Sequence, residues 1–282
     1  MKKLVVIVAL LSTNLVFAQT INWIVPGSVT GGFSMLSKIY AKHIENTGID
    51  IDVVVAGNCV NGMSKFRQTT DPTVMIYTLD KDDIALRKGC EFESPGMLTD
   101  TVTAHLMSGV AATCTMDKTL APGTLQNGKE YTVAVDNARN SRMAAVFQQL
   151  GILHKAIKYE NSGSAIRGMI GGDTQLSFTL AGQSESVIAA GGKCLFVAGH
   201  TSSTTDIPSA DQLFNVKVNY HDNVYVLLAK NLSTQQRSKL IAAIEKVKTS
   251  PELDEYAKKK WLVVPKNSNL DKLTNDAVKE LF

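Results

Sequence analysis

Short apolar runs and amphipathic stretches alternate along most of the chain, with loops of glycine, serine, threonine and asparagine between them. Ile21 to Val25 is brief and apolar, as a buried strand is. Met35, Leu36, Ile39, Tyr40 and Ile44 then recur at helical spacing. Strand and helix meet at Gly31 and Gly32. Further strands are expected at Ile51 to Val55, which ends in AGNCVNG, and at Val74 to Tyr77, which ends in TLDKDD, completing a βαβ unit. Between Ile84 and Thr103 the periodicity weakens around Gly89, Pro95 and Gly96, so a loop is expected, followed by one strand from Ala104 to Cys114.

After Met116 the turn-rich KTLAPGTLQNGKEY opens a new lobe, and YTVAVDNARNSRMAAVFQQLGI repeats the strand, polar loop, helix plan. AIKYENSGSAIRGMIGG repeats it again, TQLSFTLAG gives a strand and a loop, and KCLFVAGH gives a further strand. The tail carries a strand at Val224 to Leu228 and a helix capped by Ser233 or Thr234 that ends near Ser250. Pro251 suits the first turn of another helix, Trp261 to Val264 reads as a strand, and a helix from about Asn269 closes the chain. Such alternation predicts an α/β protein.

The first residues stand apart. Lys2 and Lys3 precede an apolar run from Leu4 to Phe17 broken only by Ser12, Thr13 and Asn14, a secretory leader pattern with cleavage expected after Ala18. No cysteine follows that site at once, which argues against a lipid anchor. The run falls short of the ~20 apolar residues that span a bilayer. The mature chain is therefore expected to be exported and soluble. Its roughly 264 residues suit two lobes, on a prior of ~100–200 residues per domain.

Of 29 basic residues, removing Lys2 and Lys3 leaves 27 against 26 acidic ones, a net charge of about +1 with no basic run. Nucleic acid is thereby disfavoured as a partner. Cys59, Cys90, Cys114 and Cys194 lack any CxxC or Cys–His spacing, so no metal site is expected. In an oxidising compartment three pairings into two bridges are open, and a Cys90–Cys114 bridge is the preferred one.

The loops hold the candidate chemistry. In open α/β sheets ligands lie beyond the carboxyl ends of strands, where N–H groups at helix N-termini are unpaired. Gly31 and Gly32 allow close backbone approach, Ser28, Thr30 and Ser34 offer hydroxyls, and Phe33 offers an apolar wall. An anionic ligand fits such a loop. A phosphate loop does not: GxxxxGK[ST] is missing, the nearest lysine, Lys38, lies a turn down the helix, and GxGxxG is absent too. Arg139 and Arg142, in DNARNSR, are the cations placed to hold a carboxylate. Neither a GxSxG elbow nor an HExxH pair is present, so an enzyme is not expected and no cofactor is required.

Taken with these loops, the chain resembles the substrate-binding proteins of tripartite tricarboxylate transporters, the TctC-type or Bug family. Their opening VPFxPGGxxD is matched by Val25, Pro26, Gly31 and Gly32, and their PGAGGN-like loop loosely by Asn61 and Gly62. VxYKGSAPALQDLLGGQVDLMF is similar to IKYENSGSAIRGMIGGDTQLSF, through Tyr159, Gly163, Ser164, Ala165, Gly171, Gly172 and Phe178. AAGGKCLFVAG, TDIPSADQL and NVYVLLAKNLSTQQRSKLIAAIEKVKTSPELDEY resemble later family segments.

The resemblance implies a two-lobed clamshell of Rossmann-like lobes joined by crossing strands, the Venus-flytrap plan of periplasmic receptors. Lobe 1 is expected over 19–117 plus 222–282 and lobe 2 over 118–221. It also implies a small organic carboxylate as ligand and integral membrane transporter subunits as partners. Ser28, Thr30, Gly31, Gly32 and Ser34, with Asn61 and Gly62, would form a pincer on the carboxylate, and Asn140, Ser141, Ser162, Ser164 and Thr179 would face it from lobe 2. Ser34 and Thr179 stand where the family has aspartate, Thr30 where it has glycine and Gly27 where it has an aromatic residue. A neutral Thr179 would favour an acid lacking an amino group. Two other readings share the sequence: a receptor that signals through a membrane kinase, and an exported hydrolase.

Overall fold

The computed structural model describes residues 20–198, 206–218, 220, 223–266 and 269–282; the leader expected over residues 1–18 lies outside them. The elements, in chain order, are β1 (Ile21–Val25), α1 (Gly32–Glu45), β2 (Ile51–Val55), α2 (Cys59–Gln68), β3 (Thr73–Thr78), α3 (Lys81–Ala85), α4 (Pro95–Thr101), β4 (Val102–Gly109) and β5 (Ala111–Thr115). Next come β6 (Tyr131–Asp136), α5 (Asn140–Gln149), β7 (His154–Tyr159), α6 (Ser162–Ile170), β8 (Leu176–Leu180), α7 (Glu185–Ala189), β9 (Lys193–Ala198) and α8 (Ala210–Phe214). The tail adds β10 (Val224–Lys230), α9 (Thr234–Val247), α10 (Pro251–Lys260), β11 (Leu262–Val263) and α11 (Leu270–Leu281).

Two sheets result. The first has strand order β11-β4-β10-β3-β1-β2, with β10 antiparallel to β3 and β4; the second runs β7-β6-β8-β5-β9, with β5 antiparallel to β8 and β9. Strand alternation assigns each side chain to a face. Trp23 and Val25 of β1 join Val74 and Ile76 of β3 in a core under α1 and α9, whereas Ile24, Met75 and Tyr77 point to the opposite core with Met63, Phe66 and Leu98. In the second sheet Val133 and Val135 pack with Phe147 and Phe196 on one face, and Ala134 packs with Ile166 and Met169 on the other. Both sheets are therefore covered on both faces, which is why their strands read as continuous apolar runs. The α/β two-lobed expectation is met.

The expected strand Ala104–Cys114 is instead two strands in different sheets, with the chain crossing at Val110. A lobe boundary at residues 117–118 accordingly lies too late: β5 is part of the second sheet. The apolar run hid the break because both strands are buried. Gly109 permits the crossing, since a Cβ there would stand 2.7 Å from Leu180 Cδ1 of the other lobe. The chain returns between Tyr220, which packs in the second lobe, and Val224 at the start of β10, and Gly109 N–H donates to the Asn223 carbonyl at 2.9 Å where the two crossings meet. The expected loop from Ile84 to Thr103 holds a helix, α4, begun by Ser94 accepting from the Met97 N–H and by Pro95 in its first turn.

The cysteines correct a second expectation. Cys59 pairs with Cys90 and Cys114 with Cys194; the preferred Cys90–Cys114 bridge is not formed. Cys90 and Cys114 are in the cores of different lobes, whereas Cys114 and Cys194 are direct neighbours on β5 and β9.

Candidate functional site

Loops from both sheets converge on one interlobe cleft of about 530 Å³. From the first lobe come Pro26, Gly27, Gly31, Gly32 and Phe33 after β1, Thr78, Asp83, Leu86 and Arg87 around α3, and Asn223 and Tyr225 at the hinge. The second lobe contributes Asp136, Ala138 and Arg139 after β6, Glu160, Asn161 and Ser162 after β7, and Gln183 after β8. All three second-lobe groups follow the carboxyl ends of strands, where a ligand is expected in such a sheet.

The β1 loop is built to expose backbone donors. Ser34 is buried and its hydroxyl donates to the Ser28 carbonyl at 2.6 Å, while Gly31 N–H donates to the same carbonyl at 3.1 Å. Gly31 is the N-cap of the 14-residue α1, with no side-chain cap and no acidic residue in the first turn. The positive end of that helix is left for a ligand. Gly62 supports the loop from behind, because a Cβ there would lie 2.6 Å from Pro26 Cβ.

Across the cleft, Asp136 ends β6 and accepts from Arg139 N–H at 3.0 Å, from Arg139 Nη1 at 2.7 Å and from the Ser162 hydroxyl. Arg139 also donates to Ser162 Oγ at 3.3 Å. Burial is the largest single influence and would lower the Arg139 pKa, but the Asp136 carboxylate together with Tyr220 and Tyr225 outweighs it and the value is raised, so this cation stays charged. Asn223, with its amide nitrogen toward Asp80 and its oxygen toward Arg139, ties the network to the first lobe. Arg139 Nε is buried and has no protein partner. It is an unspent donor inside the wall, on a residue that lines the cleft. Burial, opposed by Arg139, pushes the Tyr225 phenol up to about 12, so it remains a neutral wall.

A second set of pairs joins the lobes beside the cleft. Arg142 meets Asp80 and lies 3.9 Å from Asp82 through Nε, and Ser141 donates to Asp82. Asp80 caps α3 by accepting from the Asp82 and Asp83 N–H groups at 3.0 and 3.1 Å. Its burial, partly countered by Arg142, raises its pKa from 3.8 to about 6.

A carboxyl pKa raised on folding adds stability below its unfolded value, and that contribution is lost as pH rises through the folded one; two units correspond to ~3 kcal/mol. His105 on β4 acts oppositely: burial, aided by Lys248, lowers its pKa from 6.5 to about 4, so its contribution is lost as pH falls through that range. The slopes cancel between about pH 4 and 6. Asp80→Asn is expected to leave a stability that rises with pH there, and His105→Gln one that falls, each read from melting temperatures in a pH series.

Of the residues expected from sequence, Gly31, Gly32, Phe33, Arg139 and Ser162 line the cleft. The others do not. Thr30 borders a smaller adjoining cavity. The Ser34 hydroxyl is spent on the Ser28 carbonyl, Ser28 itself is exposed in the loop and does not line the cleft, and Asn61 donates to the Ala56 carbonyl at 3.4 Å behind the loop. Ser141 and Arg142 serve the interlobe contact, Asn140 is simply the first residue of α5, and Ser164 is held by the Asn161 carboxamide at the start of α6. Thr179 is wholly buried within β8 and does not line the cleft. Asp83, Arg87, Asp136, Glu160, Asn223 and Tyr225 are cleft residues that the sequence reading did not single out, although Asp136 and Glu160 begin two of its loops. Among the described residues no cluster of His, Cys, Asp or Glu could hold a metal ion, and no helix is long and apolar enough to cross a membrane.

No protein-family profile and no curated sequence matches the chain. Solved structures do match its fold. It is similar to a TctC solute-binding protein from Polaromonas, at 15% identity and a TM-score of 0.68, over 93% of this chain and 96% of that one. The periplasmic binding protein BugD is similar at 14% identity and TM-score 0.62, over 93% and 95% of the two chains. A Rhodopseudomonas palustris protein solved with adipate is similar at 13% identity and TM-score 0.65, over 93% and 94%. At such identities the likeness shows the fold, the two-lobed plan of TctC- and Bug-type periplasmic solute-binding proteins.

Proposed function

We propose that the protein is a periplasmic solute receptor that closes its two lobes on a small organic carboxylate and delivers it to the integral membrane subunits of a tripartite tricarboxylate-type transporter. The observation that carries this reading is that one cleft has the uncapped N-terminus of α1 on one wall and the charged Arg139 guanidinium on the other. A carboxylate placed between them would accept hydrogen bonds from both lobes. Charge-assisted bonds of this kind contribute roughly 1.5–3 kcal/mol each.

Because such contacts exist only when the lobes are together, the ligand stabilises the closed arrangement by differential binding. No bond need be made or broken. The neighbours of the same fold are binding proteins, one solved with adipate and another, MatC, with malate, which supports a carboxylate as cargo. The leader pattern and the periplasmic neighbours together support export.

The reading is tested by melting ligand-stripped protein against mono-, di- and tricarboxylates, amino acids and phosphorylated compounds. Ligand at ~100 Kd adds ~2.7 kcal/mol to native stability, which raises the melting temperature by several degrees. A rise with acids alone is the expected result. A rise with phosphorylated compounds or neutral solutes but not acids would contradict it.

A further inference from the structure

The lobes bury charge against each other at a place that the cleft does not reach. Asp80, at the start of α3 in the first lobe, pairs with Arg142 of α5 in the second, and their side chains are 1% and 9% exposed. Arg142 also lies 3.9 Å from Asp82 through Nε, and the Ser141 hydroxyl donates to Asp82. None of these four residues lines the cleft. Elsewhere the lobes meet through Lys260 and Glu185, 3.9 Å apart and each nearly half exposed, a solvated contact worth little.

The buried pair is fixed to the cleft wall from the first-lobe side. Asp80 N–H donates to Thr78 Oγ1 at 3.2 Å, and the Asp80 carboxylate accepts from the Asn223 amide, whose oxygen faces Arg139. Thr78 and Asn223 both line the cleft. A clamshell that opens must part Asp80 from Arg142 and return both charges to water, and one that closes must desolvate both. Such a pair is tolerated only when complete. Removing one member strands the other's charge in the buried state, whereas replacing both by neutral groups of similar size is often neutral in effect. The closed state alone carries that penalty, so it is felt in ligand affinity through the fraction of molecules able to close.

We propose that Asp80 and Arg142 are positioning residues for ligand capture: the lobes close on an acid only as this pair comes together, so the pair sets how long the acid is held without touching it. The inference rests on the carboxylate-receptor reading and goes beyond it. An acid first meets the open cleft, before the pair forms, so the pair acts on dissociation and not on association.

The test titrates the whole mature protein with benzoate, succinate and citrate, and follows dissociation by stopped flow, in wild type, Arg142→Gln, Asp80→Asn and the double variant. Asp80→Asn keeps a side chain able to cap α3. For each acid that binds wild type, either single variant is expected to bind roughly 5- to 150-fold more weakly, with association unchanged and dissociation faster by the same factor. The double variant is expected to return near wild type. A pair with a merely structural role would move the melting temperature and leave these rates alone. Folded single variants with wild-type affinity would overturn the inference and leave the receptor standing, as would a loss confined to association or a double variant as weak as the singles. If none of the three acids binds wild type, the inference falls together with the receptor reading.

Discussion

Replacing Arg139 by alanine is expected to weaken acid binding roughly 10- to 150-fold, the equivalent of one charge-assisted hydrogen bond, and to cost about 3–5 kcal/mol of stability. The stability loss comes from what is left behind. Asp136 is 3% exposed and Arg139 8%, so the substitution strands a buried carboxylate whose cation is gone, along with one of the partners of Ser162 and Asn223. Removing both charges together separates the two effects. Asp136→Asn with Arg139→Met is expected to recover most of the stability, because a buried ion pair replaced by neutral groups of similar size is often neutral in effect. Binding should stay lost, since the Arg139 guanidinium is absent in both variants. Denaturant midpoints and calorimetric titration with the acid chosen by the melting panel read the two quantities independently.

The second large effect lies in the bridges. Cys114–Cys194 closes a loop of sequence separation 80 and Cys59–Cys90 one of 31, and constraint of the unfolded chain by loops of these lengths contributes about 4 kcal/mol each. Reduction of the native protein is expected to lower its unfolding midpoint accordingly, and Cys114→Ala with Cys194→Ala to lower it by about half as much. Peptide mapping under non-reducing conditions should recover Cys59 linked to Cys90 and Cys114 linked to Cys194. A Cys90–Cys114 peptide would contradict the lobe assignment as well as the pairing, because those residues lie in separate cores.

The parts legible in the sequence are those set by local chemistry. Gly31 and Gly32 between an apolar strand and an amphipathic helix announce an uncapped helix start, and Asp136 with Arg139, three residues apart at a strand end, is a local turn whose side chain caps its own backbone. The illegible parts depend on distance along the chain. Arg142 finds Asp80 across 62 residues, and no loop motif distinguishes an arginine aimed at ligand from one aimed at the other lobe. Asn223 reaches the site only because the crossing chains bring the hinge there. Thr179 shows the limit of carrying a position over by resemblance: strand parity sends its side chain into the core, while its neighbour Leu180 borders the smaller cavity adjoining the cleft. The break at Val110 escaped because hydrophobic pattern is blind to which of two fully buried sheets a strand joins.

The central claim is that a carboxylate is held between the α1 terminus and Arg139. It is tested most directly by titrating the stripped wild-type protein, and the Asp136→Asn, Arg139→Met double variant, with one acid that raises the wild-type melting temperature. One site per chain in wild type and an affinity at least tenfold weaker in a variant that melts near the wild-type temperature are the predicted results. Equal affinity in the two folded proteins would place the acid elsewhere and contradict the account.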